Sequence, residues 1–98
     1  RYMDPHATLM IHDVSSSEYG KVEEIKASAE ETERLNQIVY KMMAKNCGHK
    51  SMYFLDLVHE KGHADWFLDA KEVKKHGLAD HLRLPTLNVT VSVKLSLK

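Results

Sequence analysis

The chain has 98 residues, room for one small domain or part of a larger one. Fourteen Lys+Arg against 14 Asp+Glu leave no formal net charge, and 43% of residues are apolar, which excludes a counterion-displacing nucleic-acid binder and an acidic disordered tail while allowing a core. One cysteine excludes a disulfide framework and a Cys-based zinc knuckle, and no apolar run approaches the roughly 18 residues of a membrane span. The polar start, with Asp4 and His6, does not read as a signal peptide. The expectation is a soluble, cytoplasmic chain with no membrane or nucleic-acid partner.

Leu9-Met10-Ile11 is a short apolar run after Pro5 and predicts a buried strand. The segment from Asp13 to Gly20 is polar, with Ser15, Ser16 and Ser17 in a row, and predicts a loop. Residues 21–47 contain neither Gly nor Pro and are rich in Glu, Lys, Ala, Leu and Met. Val22, Ile25 and Ala29, then Leu35, Ile38, Val39, Met42 and Met43, recur at spacings of three and four. This is an amphipathic helix, with Gly48 as its natural closing residue. At ~1.5 Å per residue it would be roughly 40 Å long, more than the diameter of about 30 Å that a globule of this size offers. It must project or pack on something else. Two readings stand: a solvated helix with an ordinary core stripe, or an arm that lies on another subunit.

Met52 to Val58 predicts a short helix ending near Gly62, and Trp66-Phe67-Leu68 a turn into a strand. Asp69 is a good N-cap for a helix over 70–76, with Glu72 completing a capping box and Gly77 closing it. Residues 78–82 read as a short strand or turn, and Pro85 breaks the chain. Leu87, Val89, Val91, Val93, Leu95 and Leu97 alternate with Asn88, Thr90, Ser92, Lys94 and Ser96. Period two over 87–97 predicts a strand with one buried face, although no partner for it is obvious. The fold class is α/β with strands far apart in sequence.

Two constellations could carry chemistry. His59-Glu60-Lys61-Gly62-His63 satisfies the H-E-x-x-H pattern of zinc peptidases, which needs both imidazoles on one helical face and the glutamate as general base. Gly62 weakens that helix, the longer zinc motif would need Gly and His where Trp66 and Asp69 stand, and neither Asp80 nor His81 is marked as a third ligand. Surface histidines at a helix end are the plainer reading. The second constellation is His12 and Asp65. His12 follows the predicted strand, a common position for a general base. Asp65 adjoins Trp66 and Phe67, where a carboxylate would be partly desolvated and could hold one imidazole nitrogen. From residue types alone, this is one His/Asp pairing among many.

At these residues the chain resembles the proteolytic subunit of the Clp protease (ClpP), a self-compartmentalising serine peptidase. The resemblance rests on Pro5-His6-Ala7-Thr8-Leu9-Met10-Ile11-His12, the Glu/Lys-rich helix, and Asp65-Trp66-Phe67-Leu68-Asp69-Ala70 leading to His76-Gly77-Leu78-Ala79-Asp80, and spans about residues 1–82. In that family a Pro-x-x-x-x-Met-Ile-His segment ends in the catalytic histidine. The catalytic aspartate opens an Asp-x-Phe-Met/Leu-Ser-Ala segment that continues to Tyr-Gly-Leu-Ile/Val-Asp. The resemblance implies the C-terminal half of a ClpP/crotonase-like fold, with His12 as general base and Asp65 as its orienting acid. The helix would be the projecting handle that interlocks two heptameric rings into a tetradecamer. It implies identical subunits as partners, an AAA+ unfoldase, unfolded polypeptide as substrate, and neither cofactor nor metal.

The departures are specific. Asp13-Val14 and a serine run replace the family's Gln-Pro and Gly-rich strand, and His63-Ala64 replace the acidic residue and Arg that link rings in many members. About four extra residues lie between Gly48 and Asp65, and the strand predicted over 87–97 falls outside the resemblance. The family's nucleophilic serine lies upstream of its histidine, in a Gly-x-x-Ala-Ser turn. The expectation is therefore a serine endopeptidase subunit whose serine comes from a preceding segment or a companion chain. A Clp-like assembly subunit without catalysis is the alternative, and a zinc peptidase at His59 and His63 the more remote one.

Overall fold

The computed structural model describes residues 1–15, 17 and 19–96. The elements in chain order are β1 (Leu9–Ile11), α1 (Val22–Asn46), α2 (Tyr53–Glu60), β2 (Trp66–Leu68) and α3 (Ala70–Lys75). Helices and strands mix, as an α/β chain requires. Ser16 in the predicted serine loop, and Leu97 at the end of the predicted last strand, lie outside the described residues.

Local sequence accounts for the helix ends. The Glu24 carboxylate accepts the Lys21 backbone N–H at 3.1 Å at the start of α1. Asp69 and Glu72 form a reciprocal capping box on α3, each carboxylate taking the other's backbone N–H, at 2.9 and 3.3 Å. All three helices close with a Schellman motif, with Gly48, Gly62 and Gly77 at positive φ. In α2 the N–H of Gly62 reaches the His59 carbonyl and that of His63 the Val58 carbonyl, both at 3.0 Å. His63 itself then stands at φ 59°, a left-handed conformation uncommon for a residue with a side chain.

β1 and β2 pair antiparallel in the register Leu9 to Leu68, Met10 to Phe67, Ile11 to Trp66. Leu68, Ile11 and Trp66 face inward, and Met10 and Phe67 face out. The core joins them to Tyr40 and Ala44 of α1, Phe54 and Val58 of α2, Val73 of α3, and Ala79. An isolated parallel bridge from Tyr2 to His81 ties the start of the sequence to the turn after α3. The Arg1 guanidinium donates to the Asn46 carbonyl at 2.7 Å, at the C-terminal end of α1.

Two expectations need correction. The side of α1 that meets the body is not its most apolar one. Asn36, Tyr40 and Ala44, four apart, are the buried residues of α1. Leu35, Ile38, Val39 and Met42 are exposed, as are Val22 and Ile25 further along the arm. Burial is set by what α2 and the strands present, so the inward stripe needs residues that fit, and a tyrosine with a satisfied hydroxyl fits. The strand expected over 87–97 does not form over its described residues: 84–96 carry no regular element, and Leu87, Val91 and Leu95 are 84%, 77% and 89% exposed. A strand needs a partner for its N–H and C=O groups, and the only ladder among the described residues is β1 with β2. The arm and this tail stretch the molecule to a radius of gyration of 20.6 Å, against about 13 Å for a compact chain of this size.

Candidate active site

β1 ends at Ile11, opposite Trp66. One step further in the same register places His12 opposite Asp65, on the outward face shared with Met10 and Phe67. The two residues line one open cleft of about 460 Å³, together with Met10, Asp13, Ser15 and His63. The structure thus brings the two sequence-derived candidates to one place, from positions far apart in the chain.

The detail of that cleft differs from a closed triad. His12 Nδ1 lies 2.7 Å from the backbone carbonyl oxygen of Asp13. A carbonyl only accepts, so Nδ1 carries a hydrogen, and in the neutral ring Nε2 has the lone pair. Among the described residues no hydrogen bond joins His12 to Asp65. Asp65 is exposed, contrary to the partial desolvation expected beside Trp66; the Trp66 ring turns into the core and leaves the carboxylate in water. Ser15 lines the same cleft from irregular chain.

Asp13 is the most connected residue of the site, and sequence reasoning passed over it as a loop residue. Its Oδ1 accepts the Tyr40 hydroxyl at 2.8 Å, and its Oδ2 the Nδ1–H of His63 at 2.9 Å. The next residue, Val14, donates its backbone N–H to Oδ1 of buried Asn36 at 2.9 Å. Partial burial alone would raise the Asp13 carboxyl, but hydrogen bonds from Tyr40, Asn36 and His63 outweigh it and hold the group below the usual carboxylate range. Burial and the same carboxylate push the Tyr40 hydroxyl far up, so it stays a donor. One signal was available: Asn36 and Tyr40, both polar, sit four apart on a helix, as if facing a polar partner.

The H-E-x-x-H segment does not form the arrangement its pattern needs. α2 ends at Glu60, so His59 lies in the last turn and His63 beyond the Schellman closure. The rings stand edge to face, with centroids 5.7 Å apart, and His63 is committed to Asp13. Among the described residues no group of three or more His, Cys, Asp or Glu side chains could hold a metal ion. Among them, too, no helix is long and apolar enough to cross a membrane.

The sequence matches the Clp protease family over residues 1–84. This chain belongs to the Clp protease family. The match takes in every element of the fold and both candidate residues, and it stops just before Pro85 and the exposed tail. A protease-type function follows from the family. His76 stands where the family pattern has Tyr, and its Nδ1 meets the Tyr53 hydroxyl at 2.6 Å.

Proposed function

We propose that this chain supplies the base and the orienting acid of a Clp-type serine endopeptidase, and that a segment preceding Arg1 supplies the nucleophile. The observation that carries the reading is the β1–β2 register, which sets His12 opposite Asp65 at the edge of one cleft. His12 Nε2, left with its lone pair, would take the serine proton and return it to the leaving amine. Asp65 would turn toward the imidazole when substrate and the rest of the subunit enclose the cleft, and would support the imidazolium there. Hydrolysis would pass through an acyl-enzyme and use no metal. On this reading α1 is a handle between stacked heptameric rings of identical subunits, in the crotonase-like arrangement, and an AAA+ unfoldase feeds unfolded polypeptide to a cytoplasmic particle. The exposed apolar residues of α1 support that part of the proposal.

The test is peptide hydrolysis by the complete protein. His12→Ala should abolish it with the oligomer intact, because triad members act as a unit. Asp65→Asn should cost several orders of magnitude, because it removes the charge that supports the imidazolium. His59→Ala should change the rate by no more than about threefold, since a surface substitution away from the site is close to neutral. Full activity in His12→Ala would exclude the histidine as base. A second reading, an assembly subunit without catalysis, is favoured by one feature: Asp65 faces solvent and is not bonded to His12. The residue in the upstream Gly-x-x-Ala-Ser position separates the two, since only a serine there completes the peptidase.

A further inference from the structure

We propose that Asp13 is a positioning residue for His12, fixing its tautomer and ring direction through the Asp13 backbone carbonyl. The inference deepens the peptidase reading and rests on it for the catalytic consequence, though not for the structural one. Three contacts immobilise the turn that carries this carbonyl. Tyr40 holds Oδ1 from α1, His63 holds Oδ2 from the closure of α2, and Asn36 holds the N–H of Val14. Both flanking elements are themselves anchored. Tyr40 is 1% exposed, and His63 is set by a hydrogen bond from its own N–H to Val58. The carbonyl 2.7 Å from His12 Nδ1 therefore sits on a turn held by hydrogen bonds to α1 and to the closure of α2.

The consequence is chemical. With Nδ1–H tied to the carbonyl, Nε2 is the basic nitrogen, and it stays so while Asp65 is still solvated. A serine base needs that tautomer before substrate arrives. The arrangement also joins two places where this chain departs from its family: Asp13 stands where Gln is usual, and His63 stands where an acidic residue precedes the catalytic aspartate. The two departures contact each other. His63 keeps its left-handed backbone at some cost, with its N–H bonded to the Val58 carbonyl and its ring to Asp13.

The experiment uses the complete protein in its assembled state. Histidine is labelled with ¹⁵N, and the sedimented particle is examined by solid-state NMR, with the His12 signals assigned by their loss in His12→Ala. The wild type should show His12 as the Nδ1–H form near pH 8. Asp13→Ala should give a mixed or inverted tautomer, and should lower kcat roughly 10- to 100-fold with KM changed less than about threefold, the pattern of a misplaced group. Asp13→Asn retains an oxygen for Tyr40 and should recover most of the loss. Tyr40→Phe removes one anchor without an unpaired charge, and should move the tautomer in the same direction if Asp13→Ala fails to assemble. An unchanged tautomer in assembled Asp13→Ala, or in Tyr40→Phe where Asp13→Ala does not assemble, overturns the proposal. A tautomer that shifts while His12→Ala keeps full activity leaves Asp13 as the holder of His12 but refutes the peptidase role of His12, so the two failures are told apart.

Discussion

The Tyr53 hydroxyl stands 2.6 Å from Nδ1 of His76, a contact that works as a hydrogen bond to the neutral ring. Burial is the main cause that holds His76 below the ordinary histidine value of 6.5, and the charges of Lys75 and His49 add to it. The Trp66 ring lies edge-on at 5.2 Å, and the His76 carbonyl accepts from His49 Nε2 at 2.6 Å. Because the folded state binds this proton less tightly than the unfolded chain does, the unfolded state takes it up first on acidification. This contribution to stability is fully present above the unfolded value near 6.5 and is lost as pH falls from there through the lower folded value. Thermal unfolding should therefore come at a lower temperature at pH 5 than at pH 7.5, and His76→Gln should flatten part of that slope. Tyr53→Phe should cost about 1 kcal/mol at neutral pH and less in acid.

Neighbouring residues of β2 should respond in opposite ways. Leu68 is fully buried and Phe67 is 64% exposed. Leu68→Ala leaves a cavity among Ile11, Phe54 and Val73, and should destabilise the fold by about 2–5 kcal/mol. Phe67→Ala should change stability by no more than about 0.5 kcal/mol in the isolated chain. Urea unfolding of the two variants gives the comparison directly. A large effect of Phe67→Ala in the assembled protein alone would mark this face as covered there.

What the sequence made legible was local. Asp69 with Glu72, and Gly48 and Gly77 after their helices, could be placed because caps are written within four residues of the end they close. The inward stripe of α1 could not. Leu35, Ile38, Val39 and Met42 look like a core face, yet Asn36, Tyr40 and Ala44 fill that role, because tertiary partners choose the face. His12 and Asp65 stood out from other His/Asp pairings only through the family's motifs; their juxtaposition depends on a strand pair with α1 and α2 between its members. Asp13 was legible only through the polar pair Asn36 and Tyr40 on α1, since its contacts come from two distant segments, α1 and the closure of α2. The tail shows the limit of periodicity: Leu87 to Leu95 alternate perfectly, and no ladder forms without a neighbour.

Asp69→Ala should cost about 1 kcal/mol, measured by chemical denaturation, because it removes the acceptor for the Glu72 N–H at the first turn of α3. Asp69→Asn should cost far less, as asparagine caps nearly as well. The effect should extend to the strand pair, since Leu68 and Ala70, on either side of the cap, are both buried. Equal losses for the two substitutions would mean that the carboxylate charge, and not the cap, is what matters there.

The last prediction concerns the outer side of α1. Leu35, Ile38, Val39 and Met42 are 38%, 42%, 42% and 56% exposed in the single chain, so polar replacements there should leave its own fold intact. If α1 is the proposed handle, each of these side chains gains up to roughly 1.5–3 kcal/mol on full burial against another ring. Ile38→Asp combined with Met42→Asp would place two charges in that contact without partners. The double variant should keep the helical circular-dichroism signal of the parent, sediment as single rings or smaller species, and lose peptidase activity. Salt separates this apolar contact from an ionic one. His63, which stands near where many relatives carry their ring-linking charges, is bonded to Asp13 within the same chain. Apolar area should therefore carry more of the inter-ring contact, and the particle should survive molar salt, which screens exposed charge pairs to within about 3 Å but leaves buried apolar area in place. A particle that dissociates in molar salt and tolerates the two aspartates would place the interface elsewhere.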